Sequence, residues 1–413
     1  MSKRYFKSKK ILLVLSPFKF TEFLYYKFEL GRLKKEYNQE VIIHDLSKVL
    51  TSKNFNETWK VKIERSTVKF SSLISWIRKF NKIKKNNILI YDFLDWGPSS
   101  FKLLVIKIFL KLSKLPLLLY RLEETAEPKL KKDFNFFLTR LLKHKLNFKF
   151  YYIAFKEFIL SNLIKCIKFD KIFWMASKNF NKFKNKKNIF LVKAHSGDYS
   201  NALLEKKKIN IKKNKKYIVY LDTGLPYFSY GGDFILEGRR IDSINIEECY
   251  KQLNIFFDNL ENIFKAKVII VPHSKYRDIK LKTKNLIPYF NNRISDNSYN
   301  SSPKLISGSK FVVCQVSTAM SYAVINYKPV QFIYSPKISP GWNFTKNNLF
   351  YIAKLIGAKP INIESYKKED LLSNLKVNKA KYDLYKYSYL TYKNANPINP
   401  NYKIIKRLMD EQI

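Results

Sequence analysis

Residues Lys304–Tyr334 read KLISGSKFVVCQVSTAMSYAVINYKPVQFIY, and the rest of the chain falls into order around them. Phe311–Val316 is mostly apolar and β-branched, the pattern of a strand buried on both faces. Ser317 and Thr318 follow at once. Ala319–Ile325 is apolar and helix-compatible, with Ser317 in the N-cap position. Asn326-Tyr327-Lys328-Pro329 stops that helix, and Val330–Tyr334 reads as the next strand. Such a strand–helix–strand unit points two hydroxyls and free backbone N–H groups away from a strand end, which is chemistry that binds phosphate. The same serine also suits a plain helix cap in any α/β sheet, and these residues alone leave both readings open.

Upstream of this unit, Tyr217–Leu221 reads as a strand that delivers Asp222, Thr223 and Gly224. Ile246–Phe264 carries Ile246, Cys249, Tyr250, Leu253, Phe257, Leu260 and Phe264 on one helical face. Val268–Val271 is a strand that delivers Pro272, His273 and Ser274. In the first half, strands are expected at Ile11–Ser16, Glu40–Leu46, Asn87–Phe93, Leu115–Leu122, Lys171–Met175 and Asn188–Val192. Helices are expected at Thr21–Lys35, Phe101–Ser113 and within Phe134–Ile164. Strands separated by helices predict parallel sheets with crossover connections. The polar, Lys- and Asn-rich run from Leu204 to Lys216 reads as a linker. The division is therefore 1–203, a linker at 204–216, a second domain at 217–390, and a tail at 391–413.

The charge balance selects partners. Lys and Arg number 78 against 33 acids, a net +45, which favours anionic molecules: nucleic acid, an anionic membrane face or phosphorylated substrates. The basic residues are spread along the chain rather than gathered in one arm, so many belong to solvated surface. No nucleic-acid reading motif accompanies them, and a specific nucleic-acid partner is not expected. Cys166, Cys249 and Cys314 are odd in number and lie in apolar contexts. They read as reduced core thiols of a cytoplasmic protein, not as a disulfide framework. With four scattered His and no Asp-X-Asp, no metal site is expected. P-loop and dinucleotide fingerprints are lacking, which argues against an ATPase or a dinucleotide enzyme. The longest apolar run, Phe101–Tyr120, is interrupted by Lys102, Lys107, Lys111 and Lys114, too often for a membrane span. Lys107, Lys111 and Lys114 share one helical face and read either as ordinary outward lysines or as a stripe that docks on anionic lipid.

Ligands of α/β sheets gather at the carboxyl ends of strands, which ranks the candidates. His273 ends a buried strand, where an imidazole can donate to a phosphate or protonate a leaving group. Asp222 and Thr223 stand at an equivalent edge, and Gly224 lets a ligand approach the backbone closely. Asp233 and Glu237, in a Gly-rich loop, are suited to sugar hydroxyls or simply to water. Asp92 and Asp95 end a strand of the first half. Asp95 adjoins Trp96-Gly97-Pro98, and an aromatic ring beside a carboxylate suits a sugar face, although Asp95 equally suits a cap for the helix that follows. Glu123 and Glu124 are rival bases, His44 and His195 weaker ones, and His144 lies in a Lys-rich run.

Val316-Ser317-Thr318-Ala319 followed by Lys328-Pro329 resembles a signature in the C-terminal half of GT-B glycosyltransferases of bacterial surface polysaccharide synthesis. These enzymes, of capsule and lipopolysaccharide biosynthesis, include sialyltransferase- and polysialyltransferase-like families. Glycerophosphotransferases of teichoic acid synthesis share the signature more loosely. Those glycosyltransferases commonly have His-Pro where this chain has Pro272-His273-Ser274. The resemblance implies an α/β, GT-B-like fold with two Rossmann-type domains facing each other across a cleft. It implies a metal-independent enzyme with no cofactor beyond its nucleotide-sugar donor, acting on a glycan or lipid-linked acceptor, cytoplasmic and peripheral at the inner membrane. Ser317 and Thr318 would then hold phosphate with Asp222, Thr223 and Gly224 nearby, His273 would assist the leaving phosphate, and Asp95 would be the base. The alternatives are a glycerophosphate or phospho-polyol transferase, or a basic membrane- or nucleic-acid-binding protein without catalysis.

Overall fold

The computed structural model describes residues 10–50, 66–83, 87–97, 99–121, 126, 148–177, 187–206, 217–223, 246–272, 290, 293–294, 301–336, 342–392 and 399–412. The first half supplies β1 (Ile11–Ser16), α1 (Glu22–Lys27), α2 (Leu30–Tyr37), β2 (Glu40–Asp45), β3 (Thr67–Lys69), α3 (Leu73–Lys82) and β4 (Ile88–Asp92). It continues through α4 (Phe101–Ser113), β5 (Leu117–Arg121), α5 (Phe148–Cys166), β6 (Ile172–Ala176), β7 (Ile189–Lys193) and α6 (Gly197–Lys206). The second half supplies β8 (Tyr217–Leu221), α7 (Ile246–Phe264), β9 (Lys267–Val271), β10 (Val312–Cys314), α8 (Met320–Ile325) and β11 (Val330–Tyr334). After these come α9 (Trp342–Ile356), β12 (Ile361–Asn362), α10 (Lys379–Tyr385) and α11 (Asn401–Gln412).

The strands form two parallel sheets, ordered β3-β2-β1-β4-β5-β6-β7 and β12-β11-β10-β8-β9. The near-continuous apolar strands explain why both are parallel and covered on two faces. In β1, Leu12 and Val14 enter one core, with Phe28 and Leu33, while Leu13 and Leu15 enter the other, with Trp76 and Leu110. Helices α3 and α4 therefore lie on one face of the first sheet, and α2 and α11 on the other. The second sheet is likewise covered by α7 on one face and by α8, α9 and α10 on the other.

The second sheet has one position beyond β9. Ile294 bridges Ile270 in parallel, and Ile270 N–H donates to the Arg293 carbonyl at 2.8 Å. Arg293 is pinned to α7 by Asp258 at 2.5 Å, Glu261 at 3.0 Å and Asn254 at 3.1 Å. Counted with this bridge, the second sheet follows the first through its sixth strand, strand three beside two, then one, four, five and six, and the first sheet adds a seventh. Both halves are thus Rossmann-type, as the alternation of strands and helices predicts.

Several local expectations are corrected. The helix expected over Thr21–Lys35 is two helices, because Glu29 between them is left-handed at φ 56°. Ser317 does not cap α8: the helix begins after Ala319, with no side-chain cap. Lys107 is not part of an outward basic stripe, since it is 3 % exposed, and Lys111 pairs with Asp170. Cys249 and Cys314 are buried thiols, but Cys166 is exposed at the end of α5. Among the described residues, no helix is long and apolar enough to cross a membrane.

Candidate active site

In a sheet of this order, the loops after strands one and four part in opposite directions and leave a crevice at their carboxyl ends. In the second half those strands are β8 and β10, which pair Leu221 with Cys314. The next residues are Asp222-Thr223 on one side and Gln315 to Thr318 on the other, so Asp222, Thr223, Ser317 and Thr318 flank one crevice. Asp222 is 5 % exposed, and its N–H donates to the Val271 carbonyl at 3.0 Å, which ties this loop to the end of β9. Burial, reinforced by the Asp222 carboxylate, pushes the Cys249 thiol up to about 12, so that thiol stays protonated behind the crevice.

The route from β10 to α8 is a run of tight turns. Met320 N–H reaches the Ser317 carbonyl at 3.3 Å, and Ser321 N–H reaches that of Thr318 at 3.0 Å. These bonds use the carbonyls and leave the hydroxyls: neither Ser317 nor Thr318 hydroxyl takes a partner among the described residues, and Thr318 is exposed. The helix that follows has only six residues. The hydroxyls, not a helix dipole, are what this loop offers a ligand. Gly224 and His273 lie outside the described residues, as do Glu123, Glu124, His144, Asp233 and Glu237.

The equivalent crevice of the first half lies between β1 and β4. A side-chain carbon added at Gly97 would stand 2.6 Å from Cβ of Pro17, so only glycine lets the loops after β1 and β4 touch here. Asp92 accepts the Leu94 N–H at 2.8 Å and the Lys107 ammonium at 2.7 Å. Lys107 also meets Asp95 at 2.7 Å. Asp95 is the outer member of this triad, its side chain 29 % exposed, while the Asp92 side chain is fully buried. Burial pushes the Asp92 carboxyl up, against the pull of Lys107. Burial opposes the Lys107 charge, but the two carboxylates outweigh it and hold the ammonium protonated above its ordinary range. Asp95 does not cap α4. That is done by Ser100, whose hydroxyl accepts the Leu103 N–H at 3.1 Å.

Lys107 escaped sequence reasoning as a member of this site. The signal was its position beside Leu103, Ile106 and Leu110 on the buried stripe of α4. Neither weaker histidine faces a crevice. His44 is buried, and Trp76 Nε1 donates to its Nδ1 at 3.2 Å. His195 is buried between Thr391 Oγ1 at 2.7 Å and the Asn399 carbonyl at 3.2 Å, pinning the tail to the first half. Among the described residues, no group of three His, Cys, Asp or Glu is placed to hold a metal.

No protein-family model matches the chain, and no curated protein matches it in sequence. Solved structures match over nearly its whole length. A variant of the wall teichoic acid polymerase TagF is 14 % identical, with 98 % of this chain and 90 % of that one covered and a TM-score of 0.47. UDP-GlcNAc 2-epimerase of Methanocaldococcus jannaschii, in complex with UDP-GlcNAc and UDP, is 11 % identical, with 97 % and 99 % covered and a TM-score of 0.43. MurG of Acinetobacter baumannii is 11 % identical, with the same coverage and a TM-score of 0.40. Likeness at this level carries no residue role or activity across to this chain.

Proposed function

We propose that the protein transfers a sugar from a nucleotide-sugar donor to a surface-glycan or lipid-linked acceptor. The observation that supports this reading is the repeated crevice: two Rossmann-type sheets, one crevice offering hydroxyls that take no partner among the described residues and the other a carboxylate. The donor's diphosphate would lie against Ser317 and Thr318, with Thr223 and the backbone at Gly224 beside it, Asp222 below, and His273 at the leaving phosphate. Asp95 would take the proton of the acceptor hydroxyl as its oxygen bonds to the anomeric carbon. The bond from that carbon to the phosphate oxygen breaks, and His273 protonates or hydrogen-bonds the departing nucleotide. Pairing with Lys107 fixes the position of the Asp95 carboxylate.

A calorimetric and hydrolysis screen over CMP-, UDP- and GDP-sugars tests the donor, with CDP-glycerol as the arm that detects glycerophosphate transfer instead. One sugar nucleotide should bind and turn over. Ser317→Ala with Thr318→Ala, and separately His273→Ala, should each weaken it by about 1.5–3 kcal/mol per hydrogen bond lost to charged phosphate. Asp95→Asn should keep that affinity and slow transfer about 100-fold or more. Donor affinity unchanged in the folded hydroxyl variants would sink the assignment, and undiminished transfer by Asp95→Asn would remove the base.

A further inference from the structure

A cleft of about 560 Å³ opens between α7 and the segment that follows β12, a size typical of small-ligand sites. Gln252, Asn259 and Asn262 line its α7 wall, spaced i, i+7 and i+10, a ridge beside the stripe that packs on the sheet. The opposite wall is Glu364, Ser365 and Tyr366. Tyr366 is held edge-on against the buried Phe256, 5.3 Å between ring centres. The side chains of Asn259 and Asn262 and the hydroxyls of Ser365 and Tyr366 take no partner among the described residues.

The charge of the lining is what sets this cleft apart. The chain carries 78 Lys and Arg, yet none lines it. Lys251 and Lys367, next to lining residues in sequence, stay outside. Its one charged group is the carboxylate of Glu364, which accepts the Ser335 hydroxyl. A phosphorylated ligand would find a carboxylate and no cation. An acyl chain would strip water from the carboxamides and hydroxyls and return no hydrogen bond. A neutral sugar fits the set. Its hydroxyls both donate and accept, as carboxamides do, and its C–H face matches the negative face of a tyrosine ring. From Gln252 to Asn262 the helix rises about 15 Å, room for more than one sugar ring.

We propose that the α7 cleft is a separate carbohydrate site that takes a neutral oligosaccharide and neither nucleotide nor phosphate. None of Asp95, Asp222, Thr223, Ser317 or Thr318 lines it, so it belongs to neither crevice. The proposal stands whether or not the protein transfers a sugar.

The test is calorimetry on the full chain with neutral hexasaccharides of glucose, mannose and N-acetylglucosamine, and with a sulfated heparin hexasaccharide. At least one neutral hexasaccharide should bind saturably, with an affinity that salt does not change. Asn259→Ala/Asn262→Ala alters two exposed helical positions where alanine is tolerated, and should weaken that binding about tenfold. Tyr366→Leu should weaken it comparably, while Tyr366→Phe keeps the ring and should bind nearly as the wild type does. Ser317→Ala/Thr318→Ala, in the crevice, should leave it unchanged. The proposal is overturned if no neutral hexasaccharide binds the wild type, or if only the sulfated one does. It is equally overturned if the folded asparagine and leucine variants bind as well as the wild type, or if the crevice variant alone loses the sugar.

Discussion

At Lys107 a single ammonium faces two carboxylates where water hardly reaches. Removing the cation would leave Asp92 buried beside Asp95 with like charges opposed. Lys107→Met should therefore cost about 3–5 kcal/mol, the range for breaking a buried pair from one side. Adding Asp92→Asn should recover part of that loss. Urea denaturation reads both, and a single variant within about 0.5 kcal/mol of wild type would contradict the arrangement. The residue also shows where sequence reading stops. Lys107, Lys111 and Lys114 do share a helical spacing, but Lys107 equally shares one with Leu103 and Leu110. What decides is a carboxylate on another element, Asp92, fifteen positions away. Ser317 failed as a cap for a related reason: its carbonyl, not its hydroxyl, was drawn into the turns ahead of α8. The carboxyl-end positions of Asp95, Asp222, Ser317 and Thr318 were legible, because strand ends follow from apolar runs.

The break between α1 and α2 is an element-scale consequence of a distant partner. Glu29, 3 % exposed and left-handed, accepts the Tyr402 N–H at 3.0 Å and so caps α11 from across the chain. No local signal marks it, since the two residues are 373 positions apart. Burial pushes the Glu29 carboxyl up to about 7. At the end of β2, burial and then Lys79 push His44 down to about 4. The signs oppose each other. Glu29 has a raised pKa in the folded state, so its contribution is full below the ordinary 4.5 and is lost as pH rises through 7. His44 has a lowered one, so its contribution is full above the ordinary 6.5 and is lost as pH falls through 4. Each loss is about 3 kcal/mol, and over the shared window the two slopes cancel. Subtracting wild-type stability from that of Glu29→Gln should leave a difference that moves in the variant's favour as pH rises across this window. For His44→Asn the difference should move in the variant's favour as pH falls. Two flat difference curves would show that neither group titrates as described.

For the whole molecule, the +45 charge is a long-range field rather than a reading device. Binding to duplex DNA should be sequence-blind and fall steeply between about 50 and 200 mM salt. A filter-binding titration that found a sequence-selective complex at the higher salt would contradict this. The two-sheet architecture was legible because buried parallel strands such as Ile11–Ser16, Tyr217–Leu221 and Val330–Tyr334 announce themselves as short apolar runs, and each forms over the predicted residues. Strand β3 was not: at three residues, Thr67–Lys69 is too short to carry a pattern. The strand position at Ile294 exists only through its partner Ile270.

The return of α11 sets a timetable for biosynthesis. Tyr402, Ile405, Leu408 and Met409 sit in the same core as Leu12, Val14 and Leu89, yet a ribosome makes them only after the entire second half. The nascent first half must wait with that face uncovered while about two hundred further residues emerge, a period in which exposed strands invite chaperones and misassembly. The part translated first is thus the part finished last, and a premature stop after Thr391 would harm the opening residues of the chain more than those just before the break.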